Sequence, residues 1–278
     1  MFRGVRTLSL TPPVKMGWML LFSALLLLAA PAQTATAANH ERLGRTYEAQ
    51  GDLEKAAAEY DQALQLSPYE ETYYFQAAHV RLLRQEFDGA VKILERGCKV
   101  FDKSAQLVLA LGVAYYGQRR FPEAAGAFLR TIAIAPEVPQ PYLFLSKMLD
   151  QITDRLPDIV PRFQSWASAN PNDALAQFVY AKSLLAGGDQ AKGEQLLRAS
   201  IRLKSDQWES HYELGALLEK QRKFPEAAAE LERSIVINAD QADVHYHLSR
   251  VYDRMGEAEK AAEQRDIHKR LTSSSGVK

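Results

Sequence analysis

The sequence predicts an all-α protein, an α-solenoid of about seven helix-turn-helix repeats that form a curved superhelix behind an N-terminal signal helix. Amphipathic helical patterns recur along the 278-residue chain at a spacing of 34 residues. Each recurrence contains two helical patterns around a short turn, such as Gly51-Asp52 in residues 37–70. Pro68 ends this first unit, as a turn between repeats would.

Small residues mark the place where the first helix of each repeat (the A helix) crosses the second (the B helix). Helices packed about 8–10 Å apart need small side chains where they touch. Thirteen of the fourteen residues at positions 8 and 20 of the repeats are Gly, Ala or Ser, and Ile159 is the exception. Position 8 holds Gly44, Ala78, Gly112, Ser146, Ala181, Gly215 and Ser249, and position 20 holds Ala56, Ala90, Ala124, Ile159, Gly193, Ala227 and Ala261.

The pattern resembles the tetratricopeptide repeat (TPR) family over residues 37–271, most closely in the first, third and sixth repeats. The third repeat has Gly112, Tyr115, Phe121, Ala124, Phe128 and Pro136 where the family places its Gly, Tyr, aromatic, Ala, aromatic and Pro. Departures are Arg81 at position 11 and the absence of the terminal proline at Asp102, Ser205 and Ala239. The predicted repeats are residues 37–70, 71–104, 105–138, 139–173, 174–207, 208–241 and 242–271, so that the array occupies residues 38–271 after processing.

Residues 1–37 differ in kind from the repeats and read as a secretory signal peptide. Three basic residues precede an apolar run from Met16 to Ala30, and the first acidic residue is Glu41. Ala35-Thr36-Ala37 fits a small-residue cleavage site, and Ala30-Pro31-Ala32 is a second candidate. The sequence therefore predicts an exported protein, periplasmic or secreted. The alternative is an uncleaved anchor, although the run is at or just below the ~17 residues that a span needs.

The fourth and seventh repeats are irregular. The fourth contains one extra residue, which the register assigns to the turn around Gln151–Arg155, and it has Pro157 and Pro161 in its B helix. Pro157 is expected to open that helix and Pro161 to distort it. The seventh has Arg265 at position 24, which is apolar in the other repeats, as an end helix with a polar outer face requires. Residues 272–278 are predicted to be a disordered tail.

Charge and motifs exclude several functions. The chain has 34 basic and 34 acidic residues, and loss of residues 1–37 leaves three more acidic than basic ones, so no nucleic-acid partner is expected. Cys98 is the single cysteine and occupies an aliphatic position, which indicates a buried thiol. The chain lacks phosphate-loop, H-E-x-x-H, C-x-x-C and nucleophile-elbow motifs. We therefore predict no catalytic residue, no metal and no cofactor.

Three of the six histidines, His40, His211 and His245, share position 4 of their repeats, which holds Tyr74 and Tyr142 in two of the others. This recurrence favours a packing role over a metal site.

In the family, A helices line a concave groove, with positions 2, 5, 9 and 12 pointing inward. Positions 5, 9 and 12 share one side of a helix because they are spaced by four and three. In repeats two to five these positions are largely aromatic or aliphatic, although a monomeric surface would normally be charged there. The predicted protein-binding groove comprises Phe75, His79, Leu82, Leu109, Val113, Tyr116, Leu143, Lys147, Phe178, Lys182 and Leu185.

The leading functional hypothesis is a non-enzymatic scaffold that holds a segment of another protein or peptide in this groove. The runner-up is an architectural solenoid that self-associates, with a second copy filling the groove. An enzyme with an unrecognised site is a third and weaker alternative. Contact with a membrane is expected only through residues 1–37, if they remain uncleaved.

Overall fold

The computed structural model describes residues 36–275, with side chains described as far as Ser273. Across this range the chain forms fourteen α-helices and two short 3₁₀ turns, with no β-strand. The predicted all-α fold is confirmed. The predicted signal peptide lies outside the described residues except for Thr36 and Ala37, which are helical.

The helices alternate as A and B helices in chain order. They are α1 (residues 36–49), α2 (Leu53–Leu66), α3 (Glu71–Leu83), α4 (Phe87–Val100), α5 (Ala105–Gly117), α6 (Phe121–Ile134), α7 (Gln140–Lys147), α8 (Leu156–Ala169), α9 (Ala174–Ala186), α10 (Gln190–Leu203), α11 (Trp208–Lys220), α12 (Phe224–Ile237), α13 (Ala242–Met255) and α14 (Ala258–Ser275). Neighbours in sequence are neighbours in space, as in α3 with α4 and α11 with α12. The described residues form two compact units, unit 1 with α1–α5 and unit 2 with α6–α14, divided between Gln118 and Arg119.

Glycines at the helix crossings confirm the register. A Cβ added to Gly215 in α11 would lie 2.7 Å from the Leu231 Cγ and 3.3 Å from the Ala227 carbonyl oxygen of α12. A Cβ added to Gly193 in α10 would lie 2.5 Å from a methyl carbon of Leu185 in α9. Positions 8 and 20 are therefore points of close approach, where a larger side chain would push the helix pair apart.

Local residues fix the helix ends. Asp52, Asp173 and Asp189 cap α2, α9 and α10 with side-chain carboxylates that accept a backbone N–H of the first turn. Pro122 and Pro225 stand in the first turn of α6 and α12, where their missing N–H leaves no intrahelical bond unmade.

Position 15 turns the chain from the A helix to the B helix with a positive φ. Glycine meets this need at Gly51, Gly188 and Gly256, with φ of 79°, 90° and 78°. At Gln85, Arg119 and Arg222 a residue with a side chain holds φ of about 60° instead.

The extra residue of the fourth repeat is accommodated where the sequence predicts it. Helix α7 ends at Lys147, and two 3₁₀ turns, Leu149–Gln151 and Thr153–Arg155, lead into α8. Met148 and Ile152 are fully buried, so apolar side chains anchor this longer connection. Pro157 stands in the first turn of α8, as predicted, and the chain remains helical across Pro161.

The last helix extends further than the sequence predicts. Disorder is expected from residue 272, whereas α14 continues to Ser275. The hydroxyls of Thr272 and Ser273 donate to the carbonyls of His268 and Lys269, four residues back, which satisfies these hydroxyls within the helix. Residues 276–278 lie outside the described part of the chain.

Candidate functional site

Position 4 connects each A helix of unit 2 to the loop before it. The side chains of Tyr142, Gln177, His211 and His245 each donate to the carbonyl six residues upstream, over 2.9–3.3 Å. The Nδ1 of His211 also lies 2.7 Å from Glu230 of α12. Both ring nitrogens of His211 thus have protein partners, which agrees with the structural role expected for this position.

Position 11 connects one repeat to the preceding one through position 25. Tyr115 donates to Glu95 over 2.7 Å, and Tyr252 donates to Glu232 over 2.6 Å. Arg81, which departs from the family pattern, makes the same connection to Asp61 over 2.6 Å. Arg81 is therefore accounted for by packing between repeats.

The A-helix face of unit 1 carries the apolar half of the predicted groove. Phe75, His79, Leu82, Leu109, Val113 and Tyr116 are all partly exposed, neither fully buried nor fully open to water. The rings of Phe75 and His79 stack with centroids 5.5 Å apart. Half-buried aromatic and aliphatic side chains with residual exposed area are suited to bury that area against a partner.

Acidic side chains beside this apolar surface are already engaged. Glu48 accepts a hydrogen bond from Tyr60 over 2.8 Å and lies 3.3 Å from the Nδ1 of His79. Glu41 pairs with Arg45 over 2.6 Å and accepts from Gln76 over 2.9 Å. Burial, and then the Glu48 hydrogen bond, raise the pKa of Tyr60. These contacts hold the A helices of the first two repeats together at the edge of the apolar surface.

The A-helix face of unit 2 contains a polar pocket of about 440 Å³. Inward positions predicted from the sequence meet there, since Lys147, Lys182 and Leu185 all line it. Lys182 is paired with Glu213 of α11 over 2.8 Å. The remaining lining residues are Ser146, Leu149, Asp150, Ala186, Gln190, Tyr212, Ala216, Leu217, Lys220 and His247.

A buried carboxylate supports one wall of this pocket. Glu219 is only 9% exposed, and it accepts from His247 Nδ1 over 2.6 Å and pairs with Arg250 over 3.0 Å. The Tyr212 ring meets the His247 ring edge to face at 5.5 Å. Burial is the main cause that raises the pKa of Tyr212, and the nearby carboxylate of Glu213 is the next. From the sequence, Glu219 can be recognised only as a charged residue at an inward position. Its partners, His247 and Arg250, belong to the following repeat.

Phe178 departs from the prediction. It is 5% exposed, so the expectation that it presents free apolar surface in the groove is wrong for this residue. The Lys182 ammonium lies 5.9 Å from the centre of its ring, and the ion pair with Glu213 holds Lys182 there. Leu143 is partly exposed and Lys147 is exposed, but Leu143 does not line the unit 2 pocket.

Between residues 36 and 275, no three or more His, Cys, Asp or Glu side chains are grouped so that they could hold a metal ion. No helix in that range combines the length and the apolar character that a membrane crossing needs. Cys98 is buried, as its position in the repeat predicts.

Paired helices, small residues at nearly every crossing and connections that recur from one repeat to the next define a helical-repeat protein. Models of the tetratricopeptide repeat match residues 37–70, and also residues 75–139, 181–243 and 212–267. The chain belongs to the tetratricopeptide repeat family.

Solved structures of other repeat proteins share this fold at low sequence identity. A tetratricopeptide repeat protein from Parabacteroides merdae superposes with a TM-score of 0.70 at 13% identity, covering 85% of this chain and 93% of its own. YrrB, a TPR protein with an unusual peptide-binding site, gives 0.52 at 16% identity, covering 67% and 96%. MamA from Desulfovibrio magneticus gives 0.51 at 16% identity, covering 62% and 96%. Identities this low establish the fold alone. No curated protein matches the sequence.

Proposed function

We propose that this protein is a non-enzymatic scaffold that binds a segment of another protein on the A-helix faces of its repeats. The observation that carries the proposal is the surface of unit 1 formed by Phe75, Leu109, Val113 and Tyr116. These apolar side chains retain exposed area in the free chain. Burying such area removes it from water, which is the main favourable contribution to most protein association.

The similarity to YrrB, whose site binds peptide, supports an extended or helical peptide segment as the bound form. The protein that supplies this segment is located in the same compartment as the scaffold. We place that compartment outside the cytoplasm, in the periplasm or beyond the cell, because residues 1–37 have the charge pattern, apolar run and small-residue exit of a signal peptide. An uncleaved N-terminal anchor is the alternative form.

The test uses site-specific cross-linking in living cells, with a photoreactive phenylalanine analogue placed at Leu109 or, as a control, at Tyr69. Tyr69 lies in the same unit, outside the proposed surface, and is 81% exposed. We expect a cross-linked partner protein from position 109 and none of the same mass from position 69. A Phe75→Ser change should reduce the yield from position 109 by tenfold or more.

The folded state of each variant is checked by its melting temperature. Identical products from both positions would contradict the proposal. Products that contain only a second copy of this chain would favour the self-associating solenoid instead.

A further inference from the structure

Resting on the proposed function, we propose that the unit 2 pocket receives an acidic side chain, aspartate or glutamate, of the bound protein segment. Lys147 and Lys220 would supply the charge that recognises it, and His247 would form the polar wall beside it. This assigns a chemical preference to the partner, which the apolar surface of unit 1 does not. Residues of four repeats of unit 2 line this pocket, and Lys147, Lys220 and His247 come from three of them.

The charge balance of the pocket favours an anion. Three lysines, Lys147, Lys182 and Lys220, face two carboxylates, Asp150 and Glu213. Lys182 and Glu213 neutralise each other over 2.8 Å. Within residues 36–275, neither Lys147 nor Lys220 has an ion-pair partner, and both are exposed. Asp150 opposes them with a single charge, which leaves the pocket with an excess positive charge.

His247 is held in place and retains one ring nitrogen for a ligand. Its Nδ1 is bound by the buried carboxylate of Glu219, and Arg250 fixes that carboxylate from the other side. The edge-to-face contact with Tyr212 restrains the ring further. The Nε2 has no hydrogen-bond partner among the described residues. A positioned ring of this kind adds little entropic cost when it contacts a ligand.

The lining of the pocket suits one acidic side chain, and its volume exceeds what that side chain needs. A volume of about 440 Å³ is near the lower end of the ~300–1,000 Å³ found for small-molecule sites. Leu149, Leu185 and Leu217 supply apolar contact below the charged groups. Glutamate combines a short apolar stem with a terminal carboxylate, so its two halves fit these two parts of the lining.

A peptide side chain fits better than a free ion. Lys147 and Lys220 are exposed and flexible, so they give a small anion little more than water-screened attraction. A side chain is held there by the rest of its segment, which raises its effective concentration at the pocket. Lys147 and Ala216 both occupy position 9 of their A helices, on the face where the proposed segment would bind.

The test follows backbone amide and His247 ring signals by NMR in the mature protein while blocked peptides are added. The probes are acetyl-tetraglutamate amide, acetyl-tetraglutamine amide and inorganic phosphate. We expect the tetraglutamate peptide to shift the signals of Lys147, Lys220 and His247 in a saturable manner, at least tenfold more tightly than tetraglutamine or phosphate. Raising the salt concentration should weaken this binding.

A charge-reversed variant identifies the groups responsible. Lys147→Glu with Lys220→Glu should weaken tetraglutamate binding tenfold or more at an unchanged melting temperature. The matched control, Lys99→Glu with Lys103→Glu, changes the net charge equally on exposed residues of unit 1 and should leave binding within twofold.

Equal binding of the glutamate and glutamine peptides, or equal loss in both variants, would overturn this assignment. Phosphate that binds as tightly as the peptide would also overturn it, in favour of a free anion. The proposed function is judged separately by cross-linking at Leu109. If cross-linking at Leu109 captures a partner but the protein does not bind tetraglutamate, the scaffold proposal stands. Only the preference for an acidic side chain is then rejected.

Discussion

At the scale of single residues, position 15 of the repeats shows how a backbone requirement is met with and without glycine. The left-handed conformation costs a residue with a side chain roughly 1–2 kcal/mol, because its Cβ crowds the following carbonyl oxygen. Gly188 avoids this cost at φ 90°, whereas Arg222 bears it at φ 61°. The packing of the helix pair on either side holds Arg222 in this conformation.

Replacing Arg222 with glycine should stabilise the protein by about 1 kcal/mol, since relief of the strain exceeds the added freedom of the unfolded chain. The reciprocal change, Gly188→Ala, should destabilise it by about 1–2 kcal/mol. Urea unfolding of both variants measures the two effects, provided that the dependence of the unfolding free energy on urea concentration is the same as in the wild type. A destabilised Arg222→Gly protein would show that the exposed arginine side chain contributes more than its strained backbone costs.

The burial of tyrosine side chains also makes the stability of the protein depend on pH in the alkaline range. The pKa values of Tyr60, Tyr212 and Tyr252 are all raised, chiefly by burial. An unfolded chain releases these protons near pH 10 while the folded chain still holds them, so the folded state binds more protons above that pH. Stability should therefore be fully present below about pH 10 and should fall as the pH rises further.

The Tyr252→Phe variant should lose part of this alkaline slope, and it should also be less stable at neutral pH by about 1 kcal/mol because the hydrogen bond to Glu232 is absent. Unfolding free energies between pH 8 and 11 test both statements. Tyr69→Phe, at an 81% exposed position, is the control. A slope in Tyr252→Phe equal to that of the wild type would contradict the assignment.

At the scale of helices, position 24 separates interior repeats from the last one. Tyr60, Leu94, Phe128, Phe163, Leu197 and Leu231 occupy it in the first six repeats and are all fully buried. Arg265 occupies it in α14, where it is exposed and pairs with Asp253 over 2.6 Å. In α14, the last helix of the described residues, position 24 therefore carries an exposed charge, whereas in the earlier B helices it is apolar and buried.

We expect Arg265→Leu to keep the melting temperature near that of the wild type, because the lost exposed ion pair is worth at most about 1 kcal/mol. Its new apolar surface should instead promote association that depends on concentration, measured by light scattering. Arg265→Gln removes the charge without adding apolar area and should remain monomeric if the wild type does. Equal association in both variants would indicate that charge alone keeps this end free.

At the scale of the whole molecule, the first helix bears on the maturation of the chain. The described part of α1 starts at residue 36, and within it Ala37 is fully buried. Cleavage after Ala37 would remove this buried residue, whereas cleavage after Ala32 would retain it. If the signal peptide is cleaved, we therefore expect mass spectrometry of the protein purified from cells to find Gln33 as the first residue. A mature chain that starts at Ala38 would contradict this choice, and an intact Met1 chain in membranes would indicate an anchor.

Much of this architecture follows from the sequence, because a fixed spacing of small residues determines where paired helices touch. The position of the longer turn in the fourth repeat and the polar surface of α14 could be predicted in the same way. Depth could not. Periodicity assigns a residue to a face, but neighbouring repeats decide its exposure, as Phe178 beneath Lys182 and Glu219 between His247 and Arg250 show.

The connection from position 11 to position 25 also bears on how the chain avoids folding in the wrong order. Similar repeats risk stacking on the wrong neighbour, a common failure in repeat proteins. Arg81 finds a carboxylate only if its repeat follows one with an acid at position 25, such as Asp61. Stacked after the fifth repeat, it would face Arg198 instead. The charge at position 25 therefore disfavours some incorrect orders in which the repeats could stack.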